Sequence, residues 1–298
     1  MLRHRSPVVV ISLVAALAGG CKRKKAAAPG AGPAGGRDGG GMTVAEALVK
    51  LEAGCRAGDL EGCRNLGVIY AEGKGVPPDA VRAFGLYQQA CDGGNAAGCN
   101  NLGLVSMKGL GTAANPTAAR AHFERGCDAG SLLACRNLGL ARAKGDGGPR
   151  DDAGALAVFS KACDAGLALA CTNAGTMYSA PDTTVRDPAK ALAWYQRGCD
   201  GGDAGGCRQL GGAYLTGSGT TMGPAPAAVW LGKGCQLGDG PSCRLLAELT
   251  AAGRGVPKDE AKAAALAARA CQLGDRASCP KPVAPPALAP AAGPPPSP

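Results

Sequence analysis

The sequence predicts an all-α fold, a right-handed solenoid of stacked antiparallel helix pairs with a 36-residue period. Fourteen of the fifteen cysteines carry this prediction, because they form seven pairs with an offset of eight residues within a pair and 36 between pairs. A fixed period of about 20–50 residues is typical of repeat proteins, in which each unit packs on its neighbours. The pairs are Cys55 and Cys63, Cys91 and Cys99, Cys127 and Cys135, Cys163 and Cys171, Cys199 and Cys207, Cys235 and Cys243, and Cys271 and Cys279.

Capping signals divide each repeat into two helices. A glycine three residues after the first cysteine of each pair suits the left-handed turn that ends a helix. The next residue is a good N-cap in six of seven cases, and a second N-cap signal opens the other helix. The first set is Asp59, Asn95, Ser131, Leu167, Asp203, Asp239 and Asp275. The second set is Asp79, Asn115, Asp151, Asp187, Gly223 and Asp259.

We name the two helices of a repeat A and B in chain order, and both carry recurring core positions. A small residue in helix A predicts close approach between helices, at Gly67, Gly103, Gly139, Gly175, Gly211 and Ala247. Helix B carries two inward positions four residues apart, on one face. They are Ala83, Ala119, Ala155, Ala191, Ala227 and Ala263, and Tyr87, Phe123, Phe159, Tyr195, Leu231 and Ala267. We expect six complete units, a capping helix around 43–55, and a truncated helix A after Asp275.

The cysteine pairs are predicted to form disulfides that join helix B of one repeat to helix A of the next. A tight turn can bring two Cα atoms within the roughly 4.4–6.8 Å that a disulfide needs. The alternatives fit less well, because zinc prefers more closely spaced cysteines with histidine, and the chain has only two histidines and no C-x-x-C motif. We therefore expect no metal and no cofactor, and an oxidising compartment.

The fifteenth cysteine, Cys21, follows a basic start, a short apolar stretch and three small residues. The segment Leu17-Ala18-Gly19-Gly20-Cys21 resembles a bacterial lipoprotein signal, which implies cleavage before Cys21 and acylation of its sulfur. The alternative is an ordinary secreted protein cut nearby. We predict four segments: a lipoprotein signal peptide over 1–20, a lipidated disordered Gly/Ala/Pro tether over 21–42, the solenoid over 43–280, and a Pro-rich disordered tail over 281–298.

The repeat unit itself resembles a known family. Its pattern C-x7-C-x2-LG-x2-Y-x2-G-x-G-V-x2-D-x3-A is similar to the Sel1-like repeat, a relative of the tetratricopeptide repeat. The clearest copies lie at 63–76 and 253–259. The cysteine pairs resemble those of the Helicobacter cysteine-rich proteins. The resemblance covers about residues 43–279 and implies a concave face, lined largely by helices A, that binds peptides or proteins.

Partner-binding candidates occupy the two positions after the second cysteine of each pair. We select Arg64, Asn65, Asn101, Arg136, Asn137, Asn173, Arg208 and Arg244. The amides could hold a peptide backbone, and the arginines could bind carboxylates in a bidentate manner. Alternatively, the asparagines hydrogen-bond the neighbouring repeat and hold the stacking geometry, and the arginines are solvated surface residues.

Two functions from different classes remain open. The first is an exported, membrane-anchored, monomeric scaffold that binds a protein or peptide in the cell envelope, at the bacterial outer membrane or the periplasmic face. The second is β-lactamase or penicillin-binding activity, which resemblance to the cysteine-rich family implies. Only Ser278-Cys279-Pro280-Lys281 fits the S-x-x-K motif, and no partner motif accompanies it, so no catalytic residue is assigned. Aromatic residues are 3% of the chain, too few for a base-stacking surface, so we expect no nucleic-acid partner despite the net charge of +9.

Overall fold

A computed structural model of the protein describes residues 43–279. This part of the chain contains thirteen α-helices and one 3-10 turn, and it has no β-strand. The helices are α1 (Val44–Arg56), α2 (Leu60–Glu72), α3 (Ala80–Asp92), α4 (Ala96–Lys108), α5 (Pro116–Asp128), α6 (Leu132–Lys144), α7 (Asp152–Asp164), α8 (Ala168–Ser179), α9 (Pro188–Asp200), α10 (Ala204–Thr216), α11 (Pro224–Gln236), α12 (Gly240–Ala252) and α13 (Glu260–Gln272). The all-α prediction is confirmed.

The helices alternate between the two classes named above. Helices A are α2, α4, α6, α8, α10 and α12; helices B are α3, α5, α7, α9, α11 and α13. α1 occupies the position of a helix B ahead of the first helix A. Each helix A packs most extensively on the helix B that follows it and also contacts the one before it. The described chain is therefore a solenoid of six helix pairs with a 36-residue period.

Side-chain caps begin the helices at the predicted residues. The Asp59 carboxylate accepts a hydrogen bond from the N–H of Gly62 at 3.0 Å, and equivalent bonds begin most of the helices that follow. Such a bond satisfies one of the backbone donors left without a partner at a helix start. Leu167 before α8 and Gly223 before α11 make no side-chain cap. These two helix starts are the weak points of an otherwise regular pattern.

Prolines explain two departures from regularity. α8 stops at Ser179, and Ala180 has extended backbone where the other helices A end on a left-handed glycine. The predicted truncated helix A after Asp275 is a single 3-10 turn over Arg276–Ser278, which closes the stack, and Cys279 is extended. Ala180 and Cys279 both precede a proline, and the residue before proline is driven out of the helical region.

Within each repeat, a large side chain of helix B lies on a glycine of helix A. A methyl group added to Gly103 would come within 2.5 Å of the Phe123 ring. The same relation joins Gly211 to Leu231, at 2.7 Å. The predicted close approach between helices is thus an approach of helix A to its own helix B. In the last repeat both positions are alanine, Ala247 and Ala267, so helix A carries one methyl group more than in the other repeats and helix B lacks the large side chain.

Seven disulfides join the repeats, each between the two cysteines of one spacing pair, with Cα–Cα distances of 4.4–4.8 Å. The first cysteine lies in the last turn of α1 or a helix B, and the second lies in the first turn of the next helix A or after the 3-10 turn. Small residues beside the cysteines permit this approach. A methyl group on Gly126, for example, would lie 2.8 Å from the Cβ of Ala134.

The stack bends toward helices A. Four of the five pairs of successive helices A approach one another more closely than successive helices B do, so helices A line the inner side of the bend. The pair α6 and α8 is the exception, since these two helices do not approach one another as closely. The junction between repeats three and four is therefore the most open internal junction on the inner side.

A polar network around the buried Asp152 ties that junction together at the loops between helices A and B. Arg150 donates to the carboxylate of Asp152 at 2.8 Å and to that of Asp182 at 2.9 Å. The backbone N–H of Thr184 also donates to Asp152, at 2.7 Å. Asp152 is 5% exposed, and the Arg150 hydrogen bond holds the pKa of this carboxyl below its usual value. The network joins the loop of repeat three to that of repeat four.

Candidate partner-binding surface

The solvent-facing side of each helix A repeats at positions i, i+3, i+4 and i+7, and we call these residues the inner face. In repeat three they are Leu133, Arg136, Asn137 and Leu140, all partly or well exposed. Leu138 and its neighbours on the opposite side of α6 are buried against helices B. Every predicted partner-binding residue lies on the inner face of its helix A, 36 residues from its equivalents.

Two of the predicted arginines form ion pairs with aspartates at the start of the next helix A or of the closing turn. Arg208 donates to the carboxylate of Asp239 at 2.5 Å, and Arg244 Nε donates to Asp275 at 2.9 Å. Both aspartates also cap the helix or turn that they precede. The carboxylates are largely buried, whereas the arginines are about one-third exposed. These guanidinium groups therefore join one helix A to the start of the next, and their role in partner binding stays a prediction.

Arg64 is engaged within its own helix. Its Nε donates to Glu61 at 2.9 Å, and a terminal nitrogen donates to the side-chain oxygen of Asn65 at 2.6 Å. Glu61 also accepts from the side chain of Asn95, the N-cap of α4, at 3.0 Å. The Arg64 hydrogen bond lowers the pKa of the Glu61 carboxyl. The first repeat is thus linked to the second through Glu61.

Arg136 differs from Arg208 and Arg244 in its surroundings. In repeat four, the hydroxyl of Thr172 donates to Asp203, 31 residues further on, as Arg208 and Arg244 do to their aspartates. The residue 31 positions after Arg136 is Leu167, which has no carboxylate. The buried Nε of Arg136 has no hydrogen-bond partner among residues 43–279. Burial lowers the pKa of the Arg136 guanidinium, against the opposing effect of the Asp203 charge.

The asparagines differ in whether their side-chain amides have hydrogen-bond partners. Asn137 Nδ2 donates to the side-chain oxygen of Asn100 at 2.8 Å, and so bridges repeats two and three. Asn100 is only 6% exposed, and its own amide lies 3.4 Å from the oxygen of Asn101. This bridge is the stacking role considered as the alternative for the asparagines. The buried Nδ2 of Asn173 has no partner within the described chain.

Repeats two to four combine exposed apolar and basic side chains on the inner side. Leu104, Leu133 and Leu169 are 36%, 40% and 38% exposed. Lys108 and Lys144, at the ends of α4 and α6, are exposed and make no ion pair with other described residues. The inner face of repeat five differs, since it carries Gly205, Gln209 and Gly212. The central repeats therefore present the richer surface for a partner.

Helices B carry a separate set of ion pairs between repeats. The pairs are Arg125 with Asp92 at 3.1 Å, Arg197 with Asp164 at 2.6 Å, and Lys233 with Asp200 at 2.6 Å. All six side chains are 40% exposed or more, and such surface pairs contribute about 0–1 kcal/mol each. The cations of these three pairs on helices B thus form ion pairs with the preceding repeat, whereas Lys108 and Lys144 on the inner side do not.

The structure describes only Ser278 and Cys279 of the Ser278-Cys279-Pro280-Lys281 segment. Ser278 donates to Asp275 at 3.2 Å in the closing turn, and Cys279 is in a disulfide. Lys281 lies outside the described residues. The one histidine among residues 43–279, His122, is on α5, and its buried Nδ1 has no hydrogen-bond partner in that range. Within residues 43–279, no group of three or more His, Cys, Asp and Glu side chains is arranged to hold a metal ion.

Sequence reasoning missed two contributors to this surface. Thr172 takes the bridging role of an arginine, and the leucines at 133 and 169 supply exposed apolar area. One signal was present, because Leu167 is the single failure among the seven N-caps that precede helices A and the closing turn. The missing N-cap side chain matters for Arg136 because residues at the arginine position bond the N-cap 31 residues further on. How the repeats stack determines that contact, so a single repeat does not reveal it.

These features define a disulfide-stapled α-solenoid of helix pairs with a partly apolar, partly cationic inner face. The family model described as the Sel1 repeat matches six consecutive segments: 60–95, 96–131, 132–167, 168–203, 204–239 and 240–275. The chain belongs to the Sel1 repeat family. Each match begins at the first residue of a helix A. It ends at the residue before the next helix A or, for the last match, before the closing 3-10 turn.

Two solved structures with similar folds agree with this assignment, and a third is similar in sequence over a shorter stretch. The uropathogenic Escherichia coli protective antigen c5321, described as having an SLR fold, is 25% identical over 78% of this chain and 50% of that chain, with a TM-score of 0.67. A Sel1 repeat protein from Oxalobacter formigenes is 26% identical over 72% and 84%, with a TM-score of 0.58. The Helicobacter pylori cysteine-rich protein B is 27% identical over 44% and 93%, with a TM-score of 0.37. The chain thus spans half the length of the E. coli antigen. A search of curated proteins finds no match.

Proposed function

We propose that this protein is an exported, monomeric scaffold, anchored to a membrane of the cell envelope, that binds a protein or peptide along its inner face. The observation that carries the proposal is the inner face of repeats two to four. There, exposed leucines, amides and lysines lie on adjacent helices A, on a support that disulfides hold rigid. Repeat solenoids of this kind bind partners through such extended surfaces.

Cross-linking tests the binding surface directly. A photoreactive phenylalanine analogue placed at Leu133 or Leu169 reports contact with the inner face, and the same analogue at Val229 on α11 is the matched control. Val229 is 69% exposed and apolar, so it differs mainly in location. We expect cross-linked products in intact cells from positions 133 and 169 and few from position 229. Equal yields from all three positions would contradict the proposal.

Export is supported by the disulfides, which are typical of proteins that fold in an oxidising, extracytoplasmic compartment. Fourteen cysteines are paired within the described chain, and Cys21 lies outside it. None of the described helices meets the length and hydropathy of a membrane span. We propose that Cys21 carries the lipid that anchors the protein to the outer membrane or to the periplasmic face.

The lipid anchor has its own test. Cells grown with an alkyne analogue of palmitate should label the wild-type protein, and Cys21→Ser should abolish the label and move the protein to the soluble envelope fraction. Acyl chains contribute about 0.8 kcal/mol of membrane binding per buried CH₂, so loss of the lipid should clearly weaken attachment to the membrane. Labelling that persists in Cys21→Ser would refute acylation at this cysteine.

A further inference from the structure

The repeat register gives Arg136 and Asn173 corresponding positions on two successive helices A, α6 and α8. Asn100 and Asn137 occupy the same two positions one repeat earlier, and their side chains hydrogen-bond at 2.8 Å. Adding 36 to each number gives Arg136 and Asn173. At the earlier junction one side chain donates and the other accepts. At the junction between repeats three and four, the arginine offers only donors.

Both members of this second pair lack an acceptor. Arg136 Nε and Asn173 Nδ2 are buried and have no hydrogen-bond partner in the described part of the chain. A buried donor without a partner costs about 1–3 kcal/mol, so such groups in a native fold point to a missing acceptor. Turning the Asn173 amide over would supply one neutral acceptor but no negative charge for the guanidinium.

Nearby charges do not already satisfy the arginine. The carboxylate of Asp203 is engaged by the Thr172 hydroxyl and by the backbone N–H groups of Gly205 and Gly206. No ion pair involves Arg136 within residues 43–279. The side chains of Arg136 and Asn173 remain partly exposed on the inner side, where α6 and α8 are less close than other successive helices A. The exposed part of each side chain is therefore open to an anion from solvent, and bonds to the buried Nε and Nδ2 require a small shift of these side chains.

Two leucines flank the pair. Leu133 is three residues before Arg136 on α6, and Leu169 is four residues before Asn173 on α8, so each lies on the same helix face as its polar neighbour. Both leucines are more than one-third exposed. An arginine binds carboxylate by two parallel hydrogen bonds, and an adjacent aliphatic group would bury area on the leucines.

We propose that Arg136 and Asn173 form an anchor for a carboxylate of the bound peptide, with an aliphatic side chain next to it lying against Leu133 and Leu169. The inference rests on the proposed function, because it assigns the chemistry of the partner at the inner face. The carboxylate comes either from the C-terminus of the peptide or from an Asp or Glu side chain. Both sources offer the same two oxygens, and the probes below distinguish them.

The first experiment uses a small probe and needs no natural partner. The mature chain, labelled with nitrogen-15, is titrated with 4-methylpentanoate and, separately, with 4-methylpentanamide, which has the same shape without the charge. The signals observed are the Nε–H of Arg136 and the side-chain amide of Asn173. We expect saturable shifts of both signals with the acid, with affinity on the order of millimolar, and at least about tenfold weaker binding of the amide.

Variants assign the response to this pair. Arg136→Gln should remove the shift of Asn173, and Arg269→Gln, which removes the same charge from exposed α13, should leave it unchanged. Three fluorescent peptides then compare a free C-terminal leucine, the same sequence amidated, and an amidated sequence with an internal Leu-Glu. Preference for the first indicates a C-terminal carboxylate, and preference for the third indicates a side chain. Equal binding of all three would contradict the anchor.

The outcomes separate this inference from the proposed function. Specific cross-linking at Leu133 with unchanged peptide affinity in Arg136→Gln would retain the scaffold and overturn the carboxylate anchor. A saturable carboxylate response without cross-linking at the inner face would retain the anchor and overturn the scaffold. Equal shifts with acid and amide, or no saturable shift at Arg136 and Asn173, overturns the anchor in either case.

Discussion

The Phe123 ring lies directly on Gly103, so close that a single added methyl group would come within 2.5 Å of it. Gly103 is in the middle of α4, where glycine costs about 1 kcal/mol relative to alanine in helix propensity. The fold accepts this cost because helix B cannot otherwise reach helix A. The pair Gly103 and Phe123 is therefore a packing requirement, repeated with Gly67, Gly139 and Gly175 in other repeats.

A matched pair of substitutions tests this packing. Gly103→Ala should destabilise the protein by about 1–3 kcal/mol through overpacking, despite the better helix propensity of alanine. Gly85→Ala should stabilise it by up to about 1 kcal/mol, because Gly85 is helical and exposed, and a methyl group added there would meet no described atom within 4 Å. Denaturant unfolding of the oxidised protein measures the change in the free energy of unfolding for each variant. Stabilisation by both substitutions would show that Phe123 moves aside at little cost.

The central disulfide should contribute to stability mainly through the unfolded state. Replacing Cys127 and Cys135 together by serine should lower the free energy of unfolding by about 2.5 kcal/mol, since the bridge closes a short loop. The Cys271–Cys279 bridge closes a loop of the same length, so replacing it should cost less only by the amount that packing at the internal junction adds for Cys127–Cys135, since the terminal bridge holds only a 3-10 turn. Urea unfolding of the two double variants gives the comparison. Equal losses would contradict the view that internal bridges staple packed repeats.

The Asp152 network should make stability depend on pH. Its folded pKa is depressed, chiefly by the Arg150 hydrogen bond, so its contribution is present above the unfolded value of about 3.9 and is lost as pH falls through the folded pKa. Asp152→Asn should therefore reduce stability by roughly 1–3 kcal/mol at pH 7 and have a smaller effect below pH of about 3. Thermal unfolding of the wild-type protein and of Asp152→Asn, each at both pH values, measures how the loss of stability depends on pH.

A control separates this network from general acid sensitivity. Asp182 also pairs with Arg150, yet its side chain is 69% exposed. Asp182→Asn should therefore change stability much less than Asp152→Asn at pH 7. If the two variants lose equal stability, or if the effect of Asp152→Asn is the same at both pH values, the buried carboxylate does not act as described.

Most of the fold follows from local signals. Asp59, Asp79 and their equivalents mark helix starts, and the cysteine spacing determines the repeat. The end of the stack was less predictable, because the bias of Pro280 on Cys279 competes with an N-cap at Asp275 that elsewhere opens a full helix. Local capping signals alone do not decide such a competition.

The candidate surface was predictable only in outline. The sequence places Arg136, Arg208 and Arg244 at equivalent positions, and nothing in a single repeat distinguishes them. The structure distinguishes them, since Arg208 and Arg244 each bond a carboxylate 31 residues further on, whereas the residue 31 positions after Arg136 is Leu167, which has no carboxylate. This contact spans 31 residues and depends on how the repeats stack, which is why the separate status of Arg136 was not foreseen.

Substitution of Leu167 tests the carboxylate anchor from inside the protein. Leu167→Asp would place a carboxylate where Asp239 and Asp275 meet their arginines, and Leu167→Asn would supply an equal cap without the charge. Both lose the apolar contact of Leu167 with the core. We expect the Asp variant to be more stable than the Asn variant by about 1 kcal/mol at pH 7, with the difference lost below pH of about 4.

The most direct measurement is the affinity of 4-methylpentanoate for these two variants, followed at the Arg136 and Asn173 signals. If Arg136 awaits an external carboxylate, the internal carboxylate of Leu167→Asp should compete with it. Affinity should then fall at least about tenfold in Leu167→Asp and remain near the wild-type value in Leu167→Asn. Equal affinity of the two variants would show that the guanidinium of Arg136 is not the group that binds the carboxylate.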